Sequence, residues 1–182
     1  MKLSISSGKF KGAQLNVPPG IKPVRSRVKL SVFSILDERM KDASCLDLFA
    51  GSGNLGLEAI SRGAASCDFV DHNYDSIKAI NENILNINRK YSGSINTSVH
   101  KSEAVKFIAN VPEHYDIIFM DPPYDSHLNH CIKYIHELLE ESGIIVFFHK
   151  KGFDNYINLN ENLKLADSRN YGITQVDFLT LS

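Results

Sequence analysis

The stretch Asp47-Leu48-Phe49-Ala50-Gly51-Ser52-Gly53-Asn54-Leu55-Gly56 decides how the rest of the chain is read. The apolar run from Cys45 to Ala50 predicts a strand, the glycines predict a tight turn, and a helix is expected to open near Asn54. Glycine has no Cβ and tolerates positive φ, so a backbone of this kind can approach a ligand closely. The first N–H groups of a helix lack partners within it and point at whatever occupies the turn. The stretch therefore reads as a cofactor cradle. Gly51, Gly53 and Gly56 match G-x-G-x-x-G, with Asp71 twenty positions beyond Gly51, a spacing that fits a dinucleotide site. Asp47 pulls the other way. A carboxylate inside the strand repels phosphates but suits S-adenosylmethionine, which has no phosphate and carries an ammonium and a sulfonium. The residues of this stretch favour the methyl donor and leave the dinucleotide open.

A second site narrows the choice. Asp121-Pro122-Pro123-Tyr124 follows the apolar run Tyr115–Met120. Two prolines lock φ and offer carbonyls without N–H donors. Asp121 adds acceptor oxygens and Tyr124 adds a flat π face. Acceptors beside an aromatic plate suit a planar base with an exocyclic amine. Such amines are poor nucleophiles because the lone pair is delocalised into the ring. Acceptors on their hydrogens hold the nitrogen partly pyramidal, with its lone pair aimed at a methyl group.

With both motifs in view, the chain resembles the bacterial 16S ribosomal RNA guanine-N2 methyltransferases of the RsmD type. The resemblance rests on DLFAGSGNLGLEAISRGA (47–64) and DPPY (121–124). It extends to SGKFKGAQLNVP (7–18), KPVRSRVKLSVFSIL (22–36) and YGITQVDFL (171–179), so nearly the whole chain takes part. It implies a class I methyltransferase Rossmann-like α/β fold: a mostly parallel seven-stranded sheet with a terminal antiparallel hairpin, plus a small N-terminal β-hairpin and helix extension. It implies S-adenosylmethionine as cofactor and 16S ribosomal RNA as partner, free or within a small ribosomal subunit. Expected cofactor-binding residues are Asp47 at the methionine end, Phe49, Ala50, Gly51 and Gly53 in the turn, Asp71 and His72 at the ribose, Ser102 and Glu103 near the adenine, and Asp121. Expected catalytic residues are Asp121 and Pro122, which hold the amine, and Tyr124, which stacks on the base. The chain departs from the family pattern in places. Where the family shows Arg-Pro-Thr and then Thr-Asp-Arg-Val-Arg-Glu, this chain has Lys22-Pro23-Val24 and then Arg25-Ser26-Arg27-Val28-Lys29-Leu30. Glu103 stands where Asp or Asn is usual, and the acidic residue at the end of the fifth strand is replaced at Phe148.

The net charge of −1 hides an uneven distribution. Residues 1–41 hold nine Lys/Arg against Asp37 and Glu38, and the remainder holds eleven against nineteen acidic residues. A basic arm on an acidic body fits a polyanion bound at one edge. Lys9, Lys11, Lys22, Arg25 and Arg27 are the expected RNA contacts, with Phe10 among them as a stacking ring. The expected division is 1–41 as the basic extension and 42–182 as the methyltransferase domain. Ser26 is the expected N-cap of a helix running to about Met40.

From Ser44 onward strand and helix patterns alternate. Strands are expected at Ser66–Asp71, Ile95–His100, Tyr115–Met120 and Gly143–His149, and helices at Tyr74–Arg89, Ser102–Asn110 and Leu128–Glu141. Leu163–Asp167 and Thr174–Leu181 suggest a closing hairpin. Such alternation predicts a parallel sheet covered on both faces, with ligands outside the carboxyl ends of its strands. At 43% apolar and 23% charged, the composition is that of a globular chain. No apolar run is long enough to span a membrane, and no leader pattern is present, so a cytoplasmic monomer is expected. Cys45, Cys67 and Cys131 fit neither a zinc spacing nor a disulfide framework. His127 and His130 beside Asp125 read as solvated histidines, so no metal is expected. Two other readings stay in play: an amino-methyltransferase acting on DNA adenine or cytosine, and a non-catalytic RNA-binding module that senses S-adenosylmethionine.

Overall fold

The alternation of strand and helix resolves into one seven-stranded sheet of order β3-β2-β1-β4-β5-β7-β6. The structure is a computed structural model that describes residues 3–123, 128–153, 156, 158 and 160–182. The strands are β1 (Ser44–Leu48), β2 (Ser66–Asp71), β3 (Thr97–Lys101), β4 (Tyr115–Met120), β5 (Leu139–Lys150), β6 (Leu163–Tyr171) and β7 (Thr174–Leu181). Helix α1 (Ser26–Leu36) precedes β1, and α2 (Asn54–Arg62), α3 (Tyr74–Lys90), α4 (Ala104–Asn110) and α5 (Leu128–Tyr134) connect the strands from β1 to β5. β1 to β5 pair in parallel, and β7 inserts antiparallel between β5 and β6.

Side-chain parity assigns the two faces. Ile117 and Phe119 of β4, and Ile144, Val146 and Phe148 of β5, join a core with Phe33, Leu36, Leu57, Ile80 and Ile87 from α1, α2 and α3. Their neighbours Ile118, Met120, Ile145 and Phe147 face Phe107, Ile108, Cys131 and Ile132 from α4 and α5. A strand covered on both faces must be apolar at every position, which is why Ile144 to Phe148 shows no alternation. Each such side chain contributes roughly 1.5–3 kcal/mol on full burial.

The N-terminal segment shares the first of these cores through Ile5, Phe10, Ala13 and Leu15. Phe10 is 3% exposed and packs on Tyr91, with ring centroids 5.0 Å apart, so it offers no face to a base. The expected hairpin reduces to a single bridge, Ser4 to Gln14. Several boundaries also differ from expectation. The N-cap of α1 is Arg25, without a side-chain cap, and the helix gives way at Asp37 to a 3-10 turn through Met40. α5 ends at Tyr134 and passes through a 3-10 turn, Ile135–Leu138, into a β5 that starts at Leu139. There the backbone joins the sheet early, with Leu139 opposite Tyr115 and a register shift before Ile117 pairs with Ile144. β6 runs on to Tyr171, since it finds partners on β7 as far as that residue, with a register shift between Leu165 and Asp167.

Lys29 lies inside the molecule, not on the basic surface. It is 0% exposed and pairs with Glu58, also 0% exposed, at 2.8 Å. Glu58 accepts in addition from Arg62 Nε (2.8 Å) and from the N–H groups of Ser6 (2.8 Å) and Ser7 (3.1 Å). The Lys29 ammonium also donates to Asn54 Oδ1 (2.7 Å) and to the Ser4 carbonyl (3.1 Å). A buried ion pair is tolerable only when the remaining donors and acceptors are satisfied, and here they are. Lys29→Ala is expected to destabilise the fold by about 3 kcal/mol, the low end for a broken buried pair because Arg62 still neutralises Glu58. Urea denaturation checks this, and a loss below about 1 kcal/mol contradicts the pair's role.

Candidate active site

Three left-handed residues within five positions turn the chain from β1 into α2: Phe49 (φ +68°), Gly51 (φ +55°) and Gly53 (φ +73°). Two carboxylates hold this turn from below. Gly51 N–H donates to Asp71 Oδ2 at 2.8 Å, and Asp71 Oδ1 accepts from Asn73 N–H at 2.8 Å. Asp47 Oδ2 accepts from Gly56 N–H at 2.8 Å, in the first turn of α2. Asp47 follows the parity of Cys45, so it faces the α2 side of the sheet. Gly56 lets the helix sit this low, since a Cβ there would lie 2.4 Å from the Phe69 ring and 2.5 Å from Cys67 Sγ.

β1 and β4 are parallel neighbours, Leu48 opposite Met120, so Phe49–Gly53 and Asp121–Pro123 leave the same edge of the sheet side by side. Asp71 ends β2, and Ser102 and Glu103 follow β3 on that rim, where Ser102 N–H donates to the Asp71 carbonyl at 3.1 Å. Ala50 is buried, Phe49 and Ser102 are half-buried, and His72 and Glu103 are exposed. Pro122 is buried and Asp121 half-buried. Tyr124, with Asp125 and His127, lies outside the described residues. His130 is exposed, and the described residues hold no cluster able to bind a metal. None of the described helices is long and apolar enough to cross a membrane.

The electrostatics follow from burial. Asp121 is pushed up to about 7 by desolvation. Asp47, 2% exposed, is pushed well above the carboxylate range by desolvation; the Gly56 hydrogen bond opposes this, and the charges of Asp121 and Asp71 add to it. Three carboxylates thus crowd one strand-end rim, an arrangement that favours a cation and disfavours a pyrophosphate.

Two cavities meet at the proline pair. The smaller, about 50 Å³, lies between Phe49, Glu103, Ala104, Val105 and the prolines. The larger, about 680 Å³, runs from Pro122 and Pro123 to Phe148, His149, Lys150, Lys151 and Phe153. The second wall was not anticipated from the sequence. Its signal was present in the aromatic and basic run Phe147-Phe148-His149-Lys150-Lys151.

The basic residues separate into groups. Lys9, Lys11, Lys22, Arg25 and Arg27 are all exposed. Val24 O accepts from Asn54 Nδ2 at 3.5 Å, and a Cβ on Gly51 would touch Ile21 Cγ2 at 3.2 Å, so Lys22, Arg25 and Arg27 belong to a segment lying along the glycine turn. Lys9 N–H bonds Ser61 O at 2.7 Å, which places Lys9 and Lys11 at the other end of α2, about 10 Å along its axis. Arg39 donates to Ser142 O at 3.0 Å, on the opposite edge of the sheet. Asn83 ties the arm to the turn, donating to Asn16 O and Ser52 O at 3.0 Å each. Polar residues on apolar helix faces, Glu58 within α2 and Asn83 within α3, were the sequence trace of these contacts.

Gly56→Ala tests the helix–sheet approach. Alanine favours helix by about 1 kcal/mol, yet the clash with Phe69 and Cys67 is expected to win, with a net loss of about 1–3 kcal/mol in chemical denaturation. A variant as stable as the parent contradicts the packing.

Comparison with known proteins supplies the family. Residues 3–180 match the family model described as Conserved hypothetical protein 95. Ribosomal RNA small subunit methyltransferase D of Escherichia coli K12 is 35% identical over 145 residues, covering 78% of this chain and 69% of that protein. The protein of the same name from Buchnera aphidicola (strain APS) is 33% identical over 172 residues, covering 93% and 84%. Among solved structures, Escherichia coli yhhF superposes with a TM-score of 0.86 at 26% identity, covering 100% of this chain and 99% of that one. The sheet order, the turn after β1 and these similarities agree: the chain has the class I methyltransferase fold and is an RsmD-like member of the Conserved hypothetical protein 95 family.

Proposed function

We propose that this chain methylates the exocyclic N2 amine of a guanine in 16S ribosomal RNA with S-adenosylmethionine as donor. The observation that carries the reading is the grouping of Asp47, Asp71 and Asp121 around a left-handed glycine turn, next to a cavity walled by Pro122 and Pro123. The residues fit this cofactor: the carboxylates suit its ammonium and sulfonium, and Gly51 and Gly53 keep side chains off the turn. The donor supplies a methyl group already activated on a sulfonium, so no covalent enzyme intermediate is required. The protein's work is alignment, exclusion of water and compensation of charge. Asp121 and the Pro122 carbonyl accept from the amine hydrogens and orient the nitrogen lone pair. Asp71 and His72 would hold the ribose hydroxyls and Glu103 the adenine amine. Tyr124 stacks on the guanine, which must be unpaired to reach the site. The names of the similar proteins support a ribosomal RNA substrate. The exposed Lys22, Arg25 and Arg27 beside the turn support a polyanion on that side.

Asp121→Ala is expected to weaken cofactor binding only modestly, by about tenfold or less in calorimetry, while turnover falls about 10²–10⁴-fold. Loss of cofactor binding with an intact fold contradicts this division of labour. The raised Asp121 carboxyl also sets a pH dependence. Below about 7 it is protonated and cannot accept from both amine hydrogens, so kcat/KM is expected to rise with pH and level off above about 7. With the cationic donor bound, the corresponding limb in kcat lies at lower pH. Asp121→Asn should remove the limb; a limb that persists assigns it to another group.

The arm is tested by Arg25→Glu with Arg27→Glu. Affinity for a small-subunit ribosomal RNA transcript should fall, and the dependence of binding on salt should flatten. Unchanged binding and salt dependence remove the arm from the RNA interface.

A further inference from the structure

The larger cavity has a wall that the methyl-transfer site does not use. Pro122 and Pro123 form the side next to Asp121. The far side is the end of β5 and the turn after it: Phe148, His149, Lys150, Lys151, Gly152 and Phe153. The described residues lining the cavity include two lysines and no Asp or Glu, in a chain whose net charge is −1. Lys150 and Lys151 are exposed, and Phe153 is 37% exposed.

This wall is held in place from behind. His149, 2% exposed, stacks on Phe147 with centroids 4.8 Å apart, and its Nε2 lies 2.9 Å from Asp177 Oδ2 on β7. Tyr156 O–H and Ser168 O–H also donate to Asp177. Burial alone would raise the Asp177 carboxyl, but these hydrogen bonds hold it at about 2. Phe153 is stacked on Tyr156 with an interplanar angle of 11°. The turn is closed by Lys151 N–H to Ile173 O (3.0 Å) and Phe153 N–H to Lys150 O (3.1 Å), with Gly152 at φ +89°. A pre-formed wall loses little freedom when a ligand arrives.

An aromatic face beside two lysines, with no acid among the described lining residues, fits a nucleotide: the base stacks and the phosphate is neutralised. At about 680 Å³ the cavity has the volume of a small-molecule site, roughly 300–1,000 Å³, and a single base is smaller than the ligands that fill such sites. The target amine must lie at the Asp121 side, so the far side is left for another residue of the same strand. We propose that the end of β5 is a second nucleotide subsite. It takes an unpaired nucleotide flanking the target guanosine, its base against Phe153 and the adjoining phosphates on Lys150 and Lys151. This rests on the reading of the substrate as RNA.

The test uses the full chain, a fluorescent small-subunit ribosomal RNA transcript and a salt series. The variants are Lys150→Ala with Lys151→Ala, Phe153→Ala, and the arm variant described above as control. Removing the two lysines is expected to flatten the slope of log Kd against log salt by about 1.4, at about 0.7 per phosphate contact on single-stranded RNA. Phe153→Ala is expected to weaken binding about 5- to 150-fold with the slope unchanged. Calorimetry with S-adenosylmethionine should show parental affinity in every variant, which also reports that each is folded. If the arm variant loses RNA while the β5 variants bind as the parent does, the subsite is overturned and the RNA reading stands. If the β5 variants lose cofactor affinity instead, the cavity belongs to the cofactor and the subsite is again overturned. If the parent shows no salt-dependent RNA binding, the RNA reading falls and takes the subsite with it.

Discussion

Everything at the strand-end rim hangs on the two carboxylates that hold the glycine turn. Asp71 holds Gly51 and Asp47 holds Gly56, each through a 2.8 Å hydrogen bond to a backbone N–H. Without them a chain with three left-handed residues in five positions would have no single conformation to prefer, since glycine loses more freedom on folding than any other residue. The same two groups set the character of the site. Burial raises the Asp47 carboxyl and the charges of Asp121 and Asp71 raise it further, so the turn is both braced and made receptive to a cation.

A second constraint joins the N-terminal arm to this turn. Lys29 reaches through the core to Glu58 and Asn54, while Asn83 spans Asn16 and Ser52. The arm is too short to bury a core of its own, and its apolar residues complete the layer formed by α1, α2 and α3. Its exposed cations therefore keep a defined position relative to the glycine turn. The acidic rim and the exposed cations of the arm are parts of one packed body.

Local chemistry made much of this legible. The alternation of strand and helix patterns predicted the parallel sheet, because unbroken apolar runs and period-3.6 burial are properties of short windows. Ser66–Asp71 and Tyr115–Met120 end where the apolar runs end. Boundaries slipped where pairing overrode pattern. β5 begins at Leu139, inside a stretch with helical spacing, because Tyr115 offers it a partner. Phe10 was misplaced for a related reason. Lysines on either side mark a surface turn, but only the approach of Tyr91, far away in the chain, determines which way the ring points.

The amino-acid sequence by itself determined the glycine turn, the proline-stiffened loop, the strands that carry them and the acidic residues at their ends, since each is a pattern within a few neighbouring residues. Tertiary structure alone decided that Lys29 is interior, that Asp47 braces Gly56, that the basic residues divide between the two ends of α2, and that the end of β5 faces the proline pair. These depend on strand order, which brings β4 beside β1 and slips β7 between β5 and β6. Burial and partnership are set by what arrives from a distant part of the chain, and no local window contains it.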